Sequence, residues 1–260
     1  MGPIALHGGG EFLPGDEPFI DALLRVVPAG PVRAVVLPTA AARGRPEQAA
    51  ANGVAAIERR ATANGRAGEV CAAMVVDAAS AEDGDCAELL AAADLIYLPG
   101  GDPDLVPAVL SSATAAGRAL TAAHRRGAVV AGASAGGMAL AEWSWTPRGG
   151  IAGLGFVSGF ALVPHYDDVR KLSWQANLDG LAPDGLGYLG LDERTGVISG
   201  DGDGWRVAGA GAAYWFARGS TTPVVARHGE RIGLPIGPTE VRPGGWPRIS
   251  RSPGALRRSR

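Results

Sequence analysis

Residues 129–140 read Val-Val-Ala-Gly-Ala-Ser-Ala-Gly-Gly-Met-Ala-Leu. An apolar run leads into Gly132-Ala133-Ser134-Ala135-Gly136, and a helix-compatible segment follows. A serine between two glycines at a strand-to-helix junction is the Gly-x-Ser-x-Gly nucleophile elbow in the context that motif requires. Small neighbours let strand and helix approach closely around a strained turn that keeps the hydroxyl exposed. The five-residue pattern alone reads equally well as an ordinary glycine-rich turn with an incidental serine, because the chain holds 40 glycines.

Outward from this turn, short apolar runs alternate with longer amphipathic, alanine-rich stretches. The runs fall at 3–7, 32–38, 70–76, 93–98 and 128–131, rich in Val, Ile, Leu and Ala and bounded by Gly, Pro or Asp. Continuous apolar runs of this length suit strands buried on both faces, as in a parallel sheet. Helical patterns lie between them at about 16–26, 46–64, 81–92, 103–126 and 136–143. The alternation predicts an α/β fold with a doubly wound, mostly parallel sheet. The 103–126 stretch is expected to break near Gly117, since glycine weakens a helix interior.

Past residue 148 the rhythm changes. Residues 149–157 are glycine-rich and irregular, and 168–181 has a helical pattern. Short runs with turns follow at 187–191, 196–198, 205–208, 212–216 and 224–227, with Asp201-Gly202 and Asp203-Gly204 as a hairpin signal. They predict an antiparallel or mixed C-terminal extension of the same sheet. No linker divides residues 1–236, which are read as a single α/β domain. Residues 237–260, dominated by Pro, Gly, Arg and Ser, are expected to form a disordered tail.

The composition removes several classes. Among 260 residues, 47% are hydrophobic and 19% charged, enough for a sizeable core and too apolar for a disordered chain. The net charge is −2, so the chain as a whole has no bias toward nucleic acid or membrane. Residues 242–260 hold six arginines and no acid, which leaves −8 on the remainder. No apolar run approaches the roughly 18 residues of a spanning helix, and Met1-Gly2-Pro3 lacks a basic leader start. Cys71 and Cys86 form neither a disulfide framework nor a metal-ligand spacing. A reduced, cytoplasmic enzyme-sized domain is the expectation, with no metal and no cofactor.

A second glycine turn lies upstream at Leu95-Ile96-Tyr97-Leu98-Pro99-Gly100-Gly101-Asp102-Pro103. Ligands of open parallel sheets collect outside the carboxyl ends of the strands. The turns at Gly100-Gly101 and Ser134 can therefore face one crevice, with the Gly101 and Ala135 N–H groups aimed at one developing oxyanion. Asp102 is read as a substrate contact, against the plain alternative of a helix cap. Four histidines are candidates for the base. His124 sits beside Arg125 and Arg126 on a helical pattern and reads as a solvated face, and His228 reads as a hairpin tip. His7 ends the first run just before Gly8-Gly9-Gly10, and His165 follows Ser134 by 31 residues. Spacing alone does not choose between these two. Gly8-Gly9-Gly10-Glu11 has no following Gly-Lys-Ser/Thr to complete a P-loop, and reads as a strand-end turn in the same crevice.

The pair Ile96-Tyr-Leu-Pro-Gly-Gly-Asp-Pro103 and Val129-Val-Ala-Gly-Ala-Ser-Ala-Gly-Gly-Met-Ala-Leu140, about 35 residues apart, resembles peptidase family S51. That family comprises the α-aspartyl dipeptidases (dipeptidase E) and the cyanophycinases, on a class I glutamine-amidotransferase-like fold. The resemblance covers roughly residues 30–216. It implies a serine exopeptidase or dipeptidase that cleaves peptides with acidic, aspartyl N-terminal residues through an acyl-enzyme on Ser134. It selects His165, in Leu162-Val-Pro-His-Tyr166, as the base. It also makes Glu193, in Leu189-Gly-Leu-Asp-Glu-Arg-Thr195, the carboxylate that orients the imidazole. Asp192 would face the other way on an extended strand. Arg170 is the candidate clamp for a substrate carboxylate, with a solvated helix start as its plain reading. Asp167 and Asp168 follow His165 too closely to orient it, and are candidates for substrate amines. The cyanophycinase-like members carry several arginines near this position, whereas this chain has Arg170 and Lys171 alone before Leu172. The other readings are a cyanophycinase-like isopeptidase, another acyl hydrolase, or a catalytically silent ligand-binding protein. The expected partner is a small peptide, without nucleic acid or membrane, and a homodimer is the assembly to test.

Overall fold

The aliphatic runs become strands because each is covered by helices on both faces. The protein is described from a computed structural model over residues 1–168, 182, 183, 185–200 and 204–235. Five parallel strands, β1 (Ile4–His7), β2 (Arg33–Val36), β3 (Glu69–Ala72), β4 (Leu95–Leu98) and β5 (Val129–Ala133), stand in the order β3-β2-β4-β5-β1. The connecting helices are α1 (Glu17–Val26), α2 (Pro46–Ala63), α3 (Gly84–Ala92), α4 (Leu105–Val109) and α5 (Ala115–Arg126), and α6 (Ala135–Leu140) follows β5.

Side chains alternate between the two layers, as the period of a strand demands. Ala5, Leu95, Tyr97, Val129 and Ala131 pack with Phe19, Leu23 and Leu24 of α1 and Ile57 of α2. Their neighbours Ile4, Leu6, Ile96, Leu98 and Val130 pack on the opposite face with Leu90 of α3, Leu120 of α5 and Met138 of α6. Each large side chain buried this way contributes about 1.5–3 kcal/mol relative to exposure. This is the doubly wound arrangement that the alternation implies.

The long helical stretch breaks at residues 110–114, earlier than Gly117. Thr114 caps α5 by accepting the Gly117 N–H at 3.2 Å. Gly117 is there for space: a Cβ would lie 2.0 Å from the Ser111 carbonyl oxygen. The glycine lets the first turn of α5 sit against the preceding loop and does not end a helix.

After α6 comes a hairpin of β6 (Trp143–Thr146) and β7 (Gly149–Ala152), then β8 (Phe160–Val163), β9 (Gly187–Leu191), β10 (Thr195–Ile198), β11 (Trp205–Gly209), β12 (Ala212–Phe216), β13 (Val224–Arg227) and β14 (Arg231–Ile232). The hairpin forms a small sheet of its own, and β8 to β14 are shared between two larger sheets. β10, β11 and β14 extend the main sheet antiparallel beyond β1. β9, β12 and β13 join β8 in a second sheet, ordered β13-β12-β9-β8, with β8 and β9 parallel. The late strands thus go beyond extending one sheet, and the chain crosses between sheets after β9, β11 and β13. The helix expected over 168–181 lies outside the described residues beyond Asp168, as do Asp201, Gly202, Asp203 and the expected tail. Among the described residues, no helix is long and apolar enough to cross a membrane.

Candidate active site

Strand register brings the site together. His7 of β1 lies opposite Ala133 of β5, and Leu98 of β4 lies opposite Gly132, so three parallel strands end side by side. Their next residues are Gly8, Ser134 and Pro99-Gly100, which makes this the crevice at the carboxyl edge of the sheet. Ser134 has φ 46° and ψ −117°, a backbone conformation that L-residues rarely adopt. Such strain costs of order 1–3 kcal/mol and persists only where the surroundings over-determine it. They do so here. A Cβ on Gly132 would meet Gly136 at 2.6 Å, and one on Gly136 would meet the Leu98 carbonyl oxygen at 2.2 Å. The Ser134 N–H is also fixed, donating to the His7 carbonyl at 2.9 Å.

The second sheet supplies the partners. β8 and β9 run parallel with Val163 opposite Gly190, and His165 and Glu193 lie two residues past their respective ends. Ser134 Oγ and His165 Nε2 are 2.9 Å apart, as are His165 Nδ1 and Glu193 Oε1. Glu193, as a carboxylate, only accepts, so Nδ1 carries the proton and Nε2 is left to accept from the serine hydroxyl. The His165 and Glu193 side chains keep 35% and 37% exposure, so the array is open to substrate.

The glycine turn after β1 backs this array. The Gly8 carbonyl accepts the His165 N–H at 2.7 Å and the Gly9 carbonyl accepts the Arg194 N–H at 2.7 Å. Gly9 presses on the imidazole so closely that a Cβ would lie 2.2 Å from His165 Cε1. The sequence puts this turn at the crevice. Its role as the wall behind the histidine rests on a contact distant in sequence, for which three successive glycines are the only local signal.

The remaining candidates fall as follows. Gly101, with φ 151°, ends the turn after β4, and its missing Cβ accommodates the Ala40 carbonyl oxygen at 2.1 Å. Ala135 opens α6, where the first N–H groups have no helical acceptor. Neither the Gly101 nor the Ala135 N–H has a hydrogen-bond partner among the described residues. Asp102 is held by Arg43 at 2.5 Å and by Arg148 at 3.3 Å. Burial works against its charge, but the bonds from Arg148 and Arg43 win and hold the carboxyl below its ordinary value. Arg170 lies outside the described residues.

His7 is buried and turned away from the serine. Its Nδ1 accepts the Gly9 N–H at 3.3 Å, so Nε2 donates to Asp16 Oδ1 at 2.9 Å. His124 is not a solvated face: it is 4% exposed, bonded through Nε2 to the Gly2 carbonyl at 2.8 Å and packed edge-on against Phe156. The N-terminal segment covers this face of α5, which the flanking arginines do not reveal. His228 lies exposed in the turn between β13 and β14. Asp192 points to β12, accepting the Ala212 N–H at 2.9 Å, while Asp167 accepts the Glu193 N–H at 3.0 Å. Burial pushes both the Cys71 and Cys86 thiols up, which makes them poor nucleophiles. Among the described residues, no cluster of His, Cys, Asp or Glu can hold a metal ion.

A strained strand-end serine, bonded to an imidazole that is bonded in turn to a carboxylate, defines the class of serine hydrolases built on an α/β sheet. The chain belongs to peptidase family S51, whose model matches residues 8–197. It is a serine peptidase. Its structure is similar to that of a peptidase from an acI-B1 Actinobacterium, with a TM-score of 0.74 and 25% identity over 90% of this chain and 97% of that one. The fold is also similar to that of a protein named for peptidase E from Listeria monocytogenes EGD-e, with a TM-score of 0.52 and 16% identity over 87% and 98% of the two chains. No curated protein sequence matches the chain.

Proposed function

We propose that the protein is an exopeptidase or dipeptidase that removes acidic, aspartyl residues from peptide N-termini through an acyl-enzyme on Ser134. The observation that carries this reading is the unbroken line from Ser134 Oγ through the His165 ring to Glu193 Oε1, with both links at 2.9 Å. His165 takes the hydroxyl proton as Ser134 attacks the scissile carbonyl, and Glu193 stabilises the imidazolium so formed. The N–H groups of Gly101 and Ala135 carry the oxyanion, a term worth roughly 3–4 kcal/mol per donor in comparable sites. His165 then returns the proton to the leaving amine, and water deacylates the serine by the same route in reverse.

Acidic selectivity rests on the resemblance of the two glycine-turn motifs to the aspartyl dipeptidases, with Arg170 as the proposed carboxylate clamp. The test is a panel of dipeptides differing only in the first residue. Release of Asp from Asp-X, lost in Arg170→Gln by a rise in KM at little change in kcat, is the expected result. Equal rates on Asp-X, Asn-X and Ala-X would overturn the acidic reading while leaving the peptidase intact. Fluorophosphonate labelling that vanishes in Ser134→Ala reports the nucleophile separately.

A further inference from the structure

Glu11 stands outside the serine–histidine–glutamate array but inside its crevice. It follows the Gly8-Gly9-Gly10 turn and reaches across to β4, where its Oε1 accepts the Gly100 N–H at 2.7 Å. A Cβ placed on Gly100 would meet Glu11 Oε1 at 3.0 Å and Ser134 Cβ at 3.2 Å. The carboxylate and the nucleophile therefore flank one small space above the strand-end glycine.

Most of the other described carboxylates around this crevice are engaged by a side chain, and Asp167, which like Glu11 holds a single backbone N–H, is exposed where Glu11 is half-buried. Glu193 holds His165, Asp167 holds the Glu193 N–H, Asp102 holds Arg43 and Arg148, and Asp16 holds His7. Glu11 faces no cation among the described residues, and its contact to Gly100 uses Oε1 alone, leaving Oε2 without a partner. Oε2 is not sealed from solvent, so a cationic ligand group entering the crevice can reach it. The geometry of a peptide says which ligand group would. In an N-terminal residue the α-nitrogen sits about 2.5 Å from the scissile carbonyl carbon, by standard backbone dimensions. That carbon must come within about 3–3.5 Å of Ser134 Oγ to react. A group reading the α-nitrogen must therefore sit next to the serine, as Glu11 does across Gly100.

We propose that Glu11 binds the α-ammonium group of the substrate's first residue and so restricts the enzyme to free N-termini. The proposal rests on the reading of Ser134 as the nucleophile. Ammonium on carboxylate is a charge-assisted pair, and Oε2 accepts it while Oε1 stays on the Gly100 N–H. An N-acylated or internal peptide offers no charge to this position and must bury Glu11 unpaired.

Glu11→Gln is the discriminating change, because a glutamine oxygen still accepts the Gly100 N–H and only the charge is lost. Binding is measured by calorimetry in Ser134→Ala protein, with and without Glu11→Gln, using L-aspartyl amide and N-acetyl-L-aspartyl amide as probes. Ser134→Ala protein is expected to prefer the free amine by about 10- to 100-fold. Adding Glu11→Gln should abolish that preference and leave the N-acetyl affinity unchanged, with the thermal midpoint unaltered. A preference that survives Glu11→Gln, equal weakening of both ligands, or no binding of the free amine each overturns the assignment. Fluorophosphonate labelling of the wild type separates the two failures. Labelled Ser134 without a Glu11-dependent amine preference removes the role of Glu11 alone. Unlabelled Ser134 with an intact preference supports the amine site and removes the acyl-enzyme reading.

Discussion

The two halves of the site are built on different ground. Ser134 follows β5, a fully buried strand inside the five-stranded parallel block, and is hemmed in by backbone from β1, β4 and α6. His165 and Glu193 follow the ends of β8 and β9 in a smaller sheet, and their side chains keep about a third of their surface in water. The nucleophile is thus held in a strained conformation by packing, whereas the proton-handling pair is positioned by a few hydrogen bonds and one glycine wall. Substitutions in the first half should separate chemistry from stability cleanly. Substitutions in the second should show which contacts aim the pair.

The largest effect belongs to the nucleophile. Ser134→Ala should lower kcat by at least about 10⁴-fold, with a thermal midpoint near wild type, since little packing depends on the hydroxyl. Ser134→Gly should be equally inactive yet melt above the alanine variant, because only glycine relieves a φ of 46°. Alanine and glycine variants melting alike would mean that the turn stores no strain.

Next comes the contrast between adjacent carboxylates. Glu193→Gln should cost about 10²- to 10⁴-fold in kcat by allowing the wrong imidazole tautomer. Asp192→Asn should leave kcat close to wild type but destabilise the protein by about 1 kcal/mol, through its weakened bond to the Ala212 N–H. Kinetics and urea melts of the two variants decide the matter, and a severe Asp192→Asn kinetic defect would reverse the assignment.

Gly9→Ala tests the wall behind the histidine. The methyl would displace the His165 ring, and φ 112° strains any side chain there. A kcat loss of about ten- to a hundredfold is expected from sub-ångström misplacement, with KM little changed. Wild-type kcat in a folded Gly9→Ala protein would show that the ring moves freely.

The smallest effect lies far from the crevice. Burial lowers the His124 pKa from its ordinary 6.5, so the unfolded chain takes up this proton at a higher pH than the folded one. Stability is then fully present above about pH 6.5 and declines as pH falls from there toward the lowered folded value. The His124→Leu midpoint should depend less on pH between 7.5 and 5, and an unchanged slope would deny the burial effect.

The same contrast governs what the sequence could tell. The parallel block was legible because each strand is a continuous Val, Ile, Leu or Ala run, and burial on both faces leaves that mark locally. β6 and β7 were not, since Trp143-Ser-Trp-Thr146 and Gly149-Gly-Ile-Ala152 mix aromatic, small and polar residues in a hairpin that buries few aliphatic side chains. β8 has four residues between Gly159 and Pro164, too short to stand out. For the site, the Gly-x-Ser-x-Gly turn marks Ser134 as a candidate, and only its pairing with the second glycine turn separates it from an ordinary glycine-rich turn. The choice of His165 over His7 was not legible, because it depends on which layer the His7 ring enters, and Asp16 and Phe19 decide that across a turn. Glu11 gave no signal beyond its place after three glycines, since its partner Gly100 lies in the turn after β4, far away in sequence.

The three-residue bridge of Asp192, Glu193 and Arg194 between β9 and β10 has a consequence for the order of events in synthesis. A growing chain completes β1 to β5 and the elbow well before it reaches the bridge, so the serine exists first without its partners. On the proposed reading, the proton relay is completed only when β10 docks antiparallel on β1 and brings Glu193 beside the glycine turn. Withholding the carboxylate to the last third of the polypeptide leaves the serine unassisted until most of the chain has been made.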